Sequence, residues 1–284
     1  MKPLVRFFLW SALLLVAGAA NVHAQVPGQF TVHCDDGSSF TNGIEFRIIQ
    51  MRAGYDYKAT VVGLNGFDPV LAVLSESGDG LCNDDAPGAA RYAANLPTTG
   101  VVPASQLSSQ VIFNPTSNTD FQDVSLVVGG YNDQPGEFIL ILEGMGVTAA
   151  DNGGDPILVT LNQNMLDSGV PLDAYMITRG QSNVDPIVSL VDENYATLTD
   201  AGGHAISCDD AGTDRCWGNT VDLSNSTVTI STGSLPGWQY DAYLNLDISG
   251  LPLSKDPAEN WLQFIMSSYQ GSAGQYLAVF HAGL

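Results

Sequence analysis

The sequence predicts an all-β protein: two tandem antiparallel β-sandwich domains of jelly-roll-like build, behind a cleaved signal peptide. Three observations predict it. Short runs of β-branched and aromatic residues recur with 30 Gly and 14 Pro between them, and past the first 24 residues no stretch keeps a helical period over ~12 positions. The chain also repeats itself: Asp68-Pro69 followed by Asp84-Asp85-Ala86 returns as Asp185-Pro186 followed by Asp209-Asp210-Ala211, and Tyr131-x4-Gly136-x-Phe138 returns as Tyr269-x4-Gly274-x-Tyr276. Finally, of 30 acidic residues 24 are Asp and six are Glu, a bias toward turns rather than helix surfaces.

In chain order, residues 1–24 carry Lys2 and Arg6, an apolar run, and Val22-His23-Ala24 with small residues where a signal peptidase reads. The run is shorter than the roughly 20 residues of a spanning helix, so export as a soluble protein is expected, to a bacterial periplasm or the extracellular space, with no membrane insertion. Strands are expected at 44–51, 57–64, 70–74, 111–113, 124–128 and 138–143. They are expected again at 158–161, 174–178, 187–191, 227–231, 240–248, 262–267 and 275–280. Residues 127–142 align with 265–280 without a gap, while the segment between the AspPro and AspAsp marks is longer in the second copy. The join falls at 147–156, around Asp151-Asn152-Gly153-Gly154, giving domains at 25–150 and 151–284. Each has roughly 125–130 residues, enough for a core.

Formal charge is −21, and −23 once Lys2 and Arg6 are removed, which excludes nucleic acid as a partner. The four cysteines Cys34, Cys82, Cys208 and Cys216 fit an oxidising compartment. Three pairings exist, and the duplication favours one bridge per copy: Cys34 with Cys82, Cys208 with Cys216.

In each copy an Asp precedes Pro at the start of an apolar strand, and an AspAsp pair follows in a loop. The strings are Phe67-Asp68-Pro69-Val70-Leu71-Ala72-Val73-Leu74 with Asn83-Asp84-Asp85 and Gly136-Glu137-Phe138, and Val184-Asp185-Pro186-Ile187-Val188 with Cys208-Asp209-Asp210 and Gly274-Gln275-Tyr276. This pattern resembles the bacterial pre-peptidase C-terminal domain, a β-sandwich appended to many secreted proteins. The resemblance covers nearly all of the chain after the signal, in two copies with short motifs. It implies calcium-stabilised modules that attach to a substrate. The family's usual enzyme partner has no room here, which puts its protease connection in doubt for this chain.

A hard cation takes six to eight oxygens at roughly 2.3–2.6 Å. The first copy offers Asp68, Asp79, Asn83, Asp84 and Asp85, the second Asp185, Asp192, Asp209, Asp210 and Asp214. Crowded like charges call for a counter-ion, here calcium. The same aspartates also suit Asx turns that cap loop amides, and that alternative stands beside the first.

Motifs for zinc hydrolysis, a nucleophile elbow, a phosphate loop or a dinucleotide fold are absent, so a non-catalytic protein is expected. His204 lies in the longer second-copy loop near Asp200 and Asp209, where an ordinary loop histidine is the plainer reading. Trp217, Trp238, Tyr240, Tyr243 and Trp261 all belong to the second copy, and rings either fill a core or bind sugars and polymers. Trp217, beside Cys216 in a Gly- and Asp-rich loop, is the expected contact residue. The expectation is thus a secreted binding, adhesion or matrix protein whose partner is an extracellular glycan or protein polymer. The alternative is an accessory targeting pair for a secreted protease or glycosidase.

Overall fold

The computed structural model describes residues 31–34, 37–41, 43–52, 54–75, 80–115, 121–148, 154–180, 182–218 and 221–284. The expected signal peptide, Asp79 and half of the expected join lie outside them.

The fold is all-β and antiparallel. A hairpin of β1 (Val32–His33) and β2 (Ser39–Phe40) precedes β3 (Ile44–Arg52), β4 (Tyr57–Gly63), β5 (Pro69–Ser75) and β6 (Gly80–Asn83). Then come β7 (Ala93–Leu96), β8 (Gly100–Val102), β9 (Ser109–Phe113), β10 (Phe121–Gly130), β11 (Glu137–Glu143) and the short β12 (Gly146–Val147). The second copy supplies β13 (Asp155–Thr160), β14 (Leu172–Thr178), β15 (Pro186–Val191), β16 (Ser207–Asp209) and β17 (Thr227–Ile230). It ends with β18 (Gly233–Pro236), β19 (Ala242–Leu246), β20 (Trp261–Ser268) and β21 (Gly274–Gly283).

Every strand from β3 to β11 has its counterpart ten strands later, and the sheets are built symmetrically from the two copies. An eight-stranded sheet runs β16-β15-β20-β13-β3-β10-β5-β6, a seven-stranded sheet β19-β14-β21-β11-β4-β9, and a four-stranded sheet β18-β17-β7-β8. In each, the second copy reads outward in the same order as the first, so a pseudo-twofold axis passes through all three. The register agrees. Ile141 pairs with Val279 at the centre of the seven-stranded sheet, and these two residues are equivalent in the ungapped repeat. The copies are therefore joined edge to edge, β13 on β3, β21 on β11 and β17 on β7.

The seven-stranded sheet lies in the middle. On one face Phe46 of the eight-stranded sheet meets Phe138 and Phe280 at ring separations of 6.2 and 5.2 Å, and Phe264 meets Phe280 at 5.8 Å. On the other, the strands and turns of the four-stranded sheet reach it: Tyr92 donates to Glu143, and Thr98 to Asp173 at 2.7 Å. A strand covered on both faces has no reason to alternate. Phe138-Ile139-Leu140-Ile141-Leu142 and Tyr276-Leu277-Ala278-Val279-Phe280 are accordingly apolar throughout and buried, and one continuous core spans both copies. A smaller core of Val32, Cys34, Phe40, Val70, Ala72 and Val127 lies under the β1–β2 hairpin. The bridges are Cys34–Cys82 and Cys208–Cys216, one in each copy.

Where the copies meet on the middle sheet, equivalent positions hold acid–base pairs in reversed order. Lys58 lies across from Glu143 with Nζ 3.6 Å from the carboxylate, and Arg179 of the second copy approaches Glu143 at 3.5 Å. The matching cross-strand pair in the second copy is Asp173 and His281, 2.8 Å apart, with Glu137 of the first copy 3.6 Å from His281. Asp173 has no exposed surface and also accepts from Asn245 at 2.6 Å, so its charge is solvated by protein donors rather than by water.

Candidate metal centre

Two groups of carboxylates converge, at opposite edges of the eight-stranded sheet. Asp68 stands at the entry to β5, and the Asp84-Asp85 loop follows its neighbour β6. Asp185 and the Asp209-Asp210 loop stand in the same relation to β15 and β16. Within each group, Asp68 with Asp84 and Asp85, or Asp185 with Asp209 and Asp210, every residue offers an oxygen within 4.8 Å of the others.

The same backbone frame holds both groups. The Asp68 carbonyl accepts from the Tyr131 amide at 2.8 Å, and the Asp185 carbonyl from the Tyr269 amide at 2.8 Å. This explains why the Tyr-x4-Gly motif travels with the AspPro motif in the sequence. The second Asp of each pair is left-handed, φ +56° at Asp85 and +64° at Asp210. Asp tolerates that region better than most residues. The next amide in each copy is tied to the sandwich, Ala86 to the Ser108 carbonyl and Ala211 to the Asp241 carbonyl, each at 2.9 Å.

The electrostatics are those of carboxylates short of solvation. Burial pushes Asp68 above the ordinary carboxylate range, and the Asp85 charge adds to it. Asp185 is raised by burial and then by Asp209 and Asp210, with Arg215 pulling the other way, and Asp209 is raised by burial and by Asp210. One buried oxygen on each of Asp68, Asp185, Asp209 and Asp210 accepts no hydrogen bond. A buried acceptor left unsatisfied costs ~1–3 kcal/mol, more when charged. An all-oxygen, crowded, under-solvated donor set is the kind a hard divalent cation completes, with further oxygens needed beyond the three carboxylates.

The second group differs from the first in one respect that the sequence reading missed. Arg215 reaches back from the short Cys208–Cys216 loop to Asp210 at 3.0 Å and Asp209 at 3.5 Å. The available signal was a basic residue set between Asp214 and Cys216. Asp192 and Asp214 are not part of the group: the Asp192 carboxylate accepts the amides of Asn194 and Ala196 at 2.8 and 2.9 Å in a local turn, and Asp214 is exposed. Asn83 accepts the Gln110 amide at 3.2 Å.

Trp217 is half-buried against the core, with Nε1 donating to Asp200 at 3.1 Å. That carboxylate also takes the His204 and Gly202 amides and is held down at about 2, chiefly by the His204 amide. Of the five second-copy rings singled out in the sequence, Trp238 and Tyr240 are exposed and Trp261 is half-buried, whereas Tyr243 is buried and stacks on Tyr175 at 4.5 Å. No helix of the described residues is long and apolar enough to cross a membrane. Compared with protein-family models, curated proteins and solved structures, the chain has no match.

Proposed function

We propose that this chain is an exported, non-catalytic binding protein made of two copies resembling pre-peptidase C-terminal domains, with calcium held in its AspAsp loops. The observation that carries the calcium reading is the convergence of three carboxylates within 4.8 Å at equivalent places in both copies. Buried oxygens without donors supply the driving force. Turn chemistry alone would satisfy those oxygens with loop amides, as it does at Asp192. The disulfides agree with an oxidising destination, and an extracellular polymer is the partner this reading gives the protein.

The two sites are unequal. Arg215 serves the second group as a resident cation, so the first group takes calcium more tightly. Calorimetric titration of chelator-treated protein tests this: calcium should bind with measurable heat, Asp68→Asn should remove the tighter event, and Asp185→Asn the weaker. Absence of heat from the wild-type chain would sink the reading.

A further inference from the structure

The loop between β18 and β19 presents two aromatic rings to solvent. Trp238 is 44% exposed and Tyr240 36%, and the rings meet edge to face with centroids 4.5 Å apart. The loop is fixed from beneath. Asp241, wholly buried, accepts the Trp238 amide at 2.7 Å and the Thr178 amide and hydroxyl at 2.8 and 2.7 Å. The Gly237 amide donates to the Ser226 carbonyl at 2.9 Å, and a Cβ at Gly237 would stand 2.1 Å from the Leu223 carbonyl oxygen. The rings are thus held out by a turn that is already ordered, so little entropy remains to be lost when they meet a ligand.

The duplication provides its own comparison. The Asp241 carbonyl accepts the Ala211 amide as the Ser108 carbonyl accepts that of Ala86, which sets Ser105 and Leu107 of the first copy where Trp238 and Tyr240 stand in the second. The equivalent turn of the first copy carries neither ring. Beside Trp238 lies a groove of about 290 Å³ lined by Thr178, Gly180, Ser182, Leu235, Pro236 and Gly237. Its described lining has hydroxyls and apolar surface but no ionisable side chain, on a chain of formal charge −21.

We infer that this groove and the Trp238–Tyr240 pair bind a neutral saccharide. A flat ring packs against the C–H face of a sugar, the Ser182 hydroxyl suits a sugar oxygen, and Thr178 Oγ1, whose proton goes to Asp241, offers an acceptor to a sugar hydroxyl. Charge selects among ligands: an anionic glycan is repelled by the molecule as a whole, and a cationic ligand finds no carboxylate among the described residues that line the groove. At ~300 Å³ the site is at the small end for ligands and takes one or two sugar units.

The inference rests on the reading of the chain as an extracellular binding protein. The full chain is titrated with cellohexaose, chitohexaose, maltohexaose and xylohexaose, and with decaproline and polygalacturonate as other ligand classes, followed by calorimetry and tryptophan fluorescence. At least one neutral oligosaccharide should bind. Trp238→Ser, which installs the first-copy residue and so keeps the turn, should weaken binding about tenfold, while Trp217→Phe leaves it unchanged. Binding of none of the neutral sugars, equal binding by Trp238→Ser, or binding of decaproline or polygalacturonate alone overturns it. The melting temperature of the same samples with calcium and with chelator reports on the metal sites separately, so either idea can fail without the other.

Discussion

Asp241 has no exposed surface, and its carboxyl is pushed up to about 6 by burial, against the pull of the Thr178 and Trp238 donors. Its folded-state value thus lies above the unfolded one. The stability it contributes is present at acid pH and is lost as pH rises through about 6. The melting temperature of the wild-type chain should fall between about pH 4 and about pH 6 and level off above, and Asp241→Asn should flatten that dependence. An unchanged slope in the variant would remove Asp241 as its origin. Arg215 yields a second test: Arg215→Gln takes a positive charge away from the second carboxylate group, so calcium affinity there should rise about tenfold while the calcium-free protein melts earlier. Equal affinity by titration would mean that Arg215 does not compete with the metal. Asp68, Asp185 and Asp209 are raised as well, so protons compete with calcium and its stabilising effect should fade on acidification through the carboxylate range.

At the level of strands, β11 and β21 were legible as strands but not as neighbours. Their apolar runs announce burial on both faces, yet nothing in either run says that Ile141 will face Val279 rather than another edge. Cross-copy partners are chosen by long-range packing, which a local pattern does not encode. The short strands β7 and β8 went unseen for a related reason: Ala93-Ala94-Asn95-Leu96 has little β-propensity and is held by pairing with β17 and by lying over the middle sheet. The reversed acid–base pairs at this seam, Lys58–Glu143 and Asp173–His281, are placed by the same joining. Removing one partner of a buried pair strands the other, so Asp173→Ala should cost roughly 3–5 kcal/mol by urea denaturation. A loss no larger than that of an exposed pair, under about 1 kcal/mol, would show the pair to be solvated.

Over the whole molecule, the repeat was readable because two copies of one fold need the same AspPro strand, left-handed Asp and returning Tyr. Much of the candidate metal centre followed from it: Asp68, Asp84, Asp85, Asp185, Asp209 and Asp210 converge, while Asp192 and Asp214 do not. Those two are near in sequence but serve their own turns or face solvent, and loop direction is not written in spacing. Trp217 and Trp238 look alike as text. Only the Asp200 loop folding over one and the Asp241 turn lifting the other tell them apart. Because the three sheets run through both copies, the chain should unfold as one cooperative unit, with calorimetric and van't Hoff enthalpies equal. Two resolved transitions would mean the copies are held only loosely. The central claim is that the paired carboxylate groups are cation sites, and the most direct measurement is the melting temperature of chelator-treated protein with and without calcium. A hundredfold excess over the dissociation constant should stabilise the fold by roughly 2.7 kcal/mol per site, whereas superimposable melting curves would contradict it.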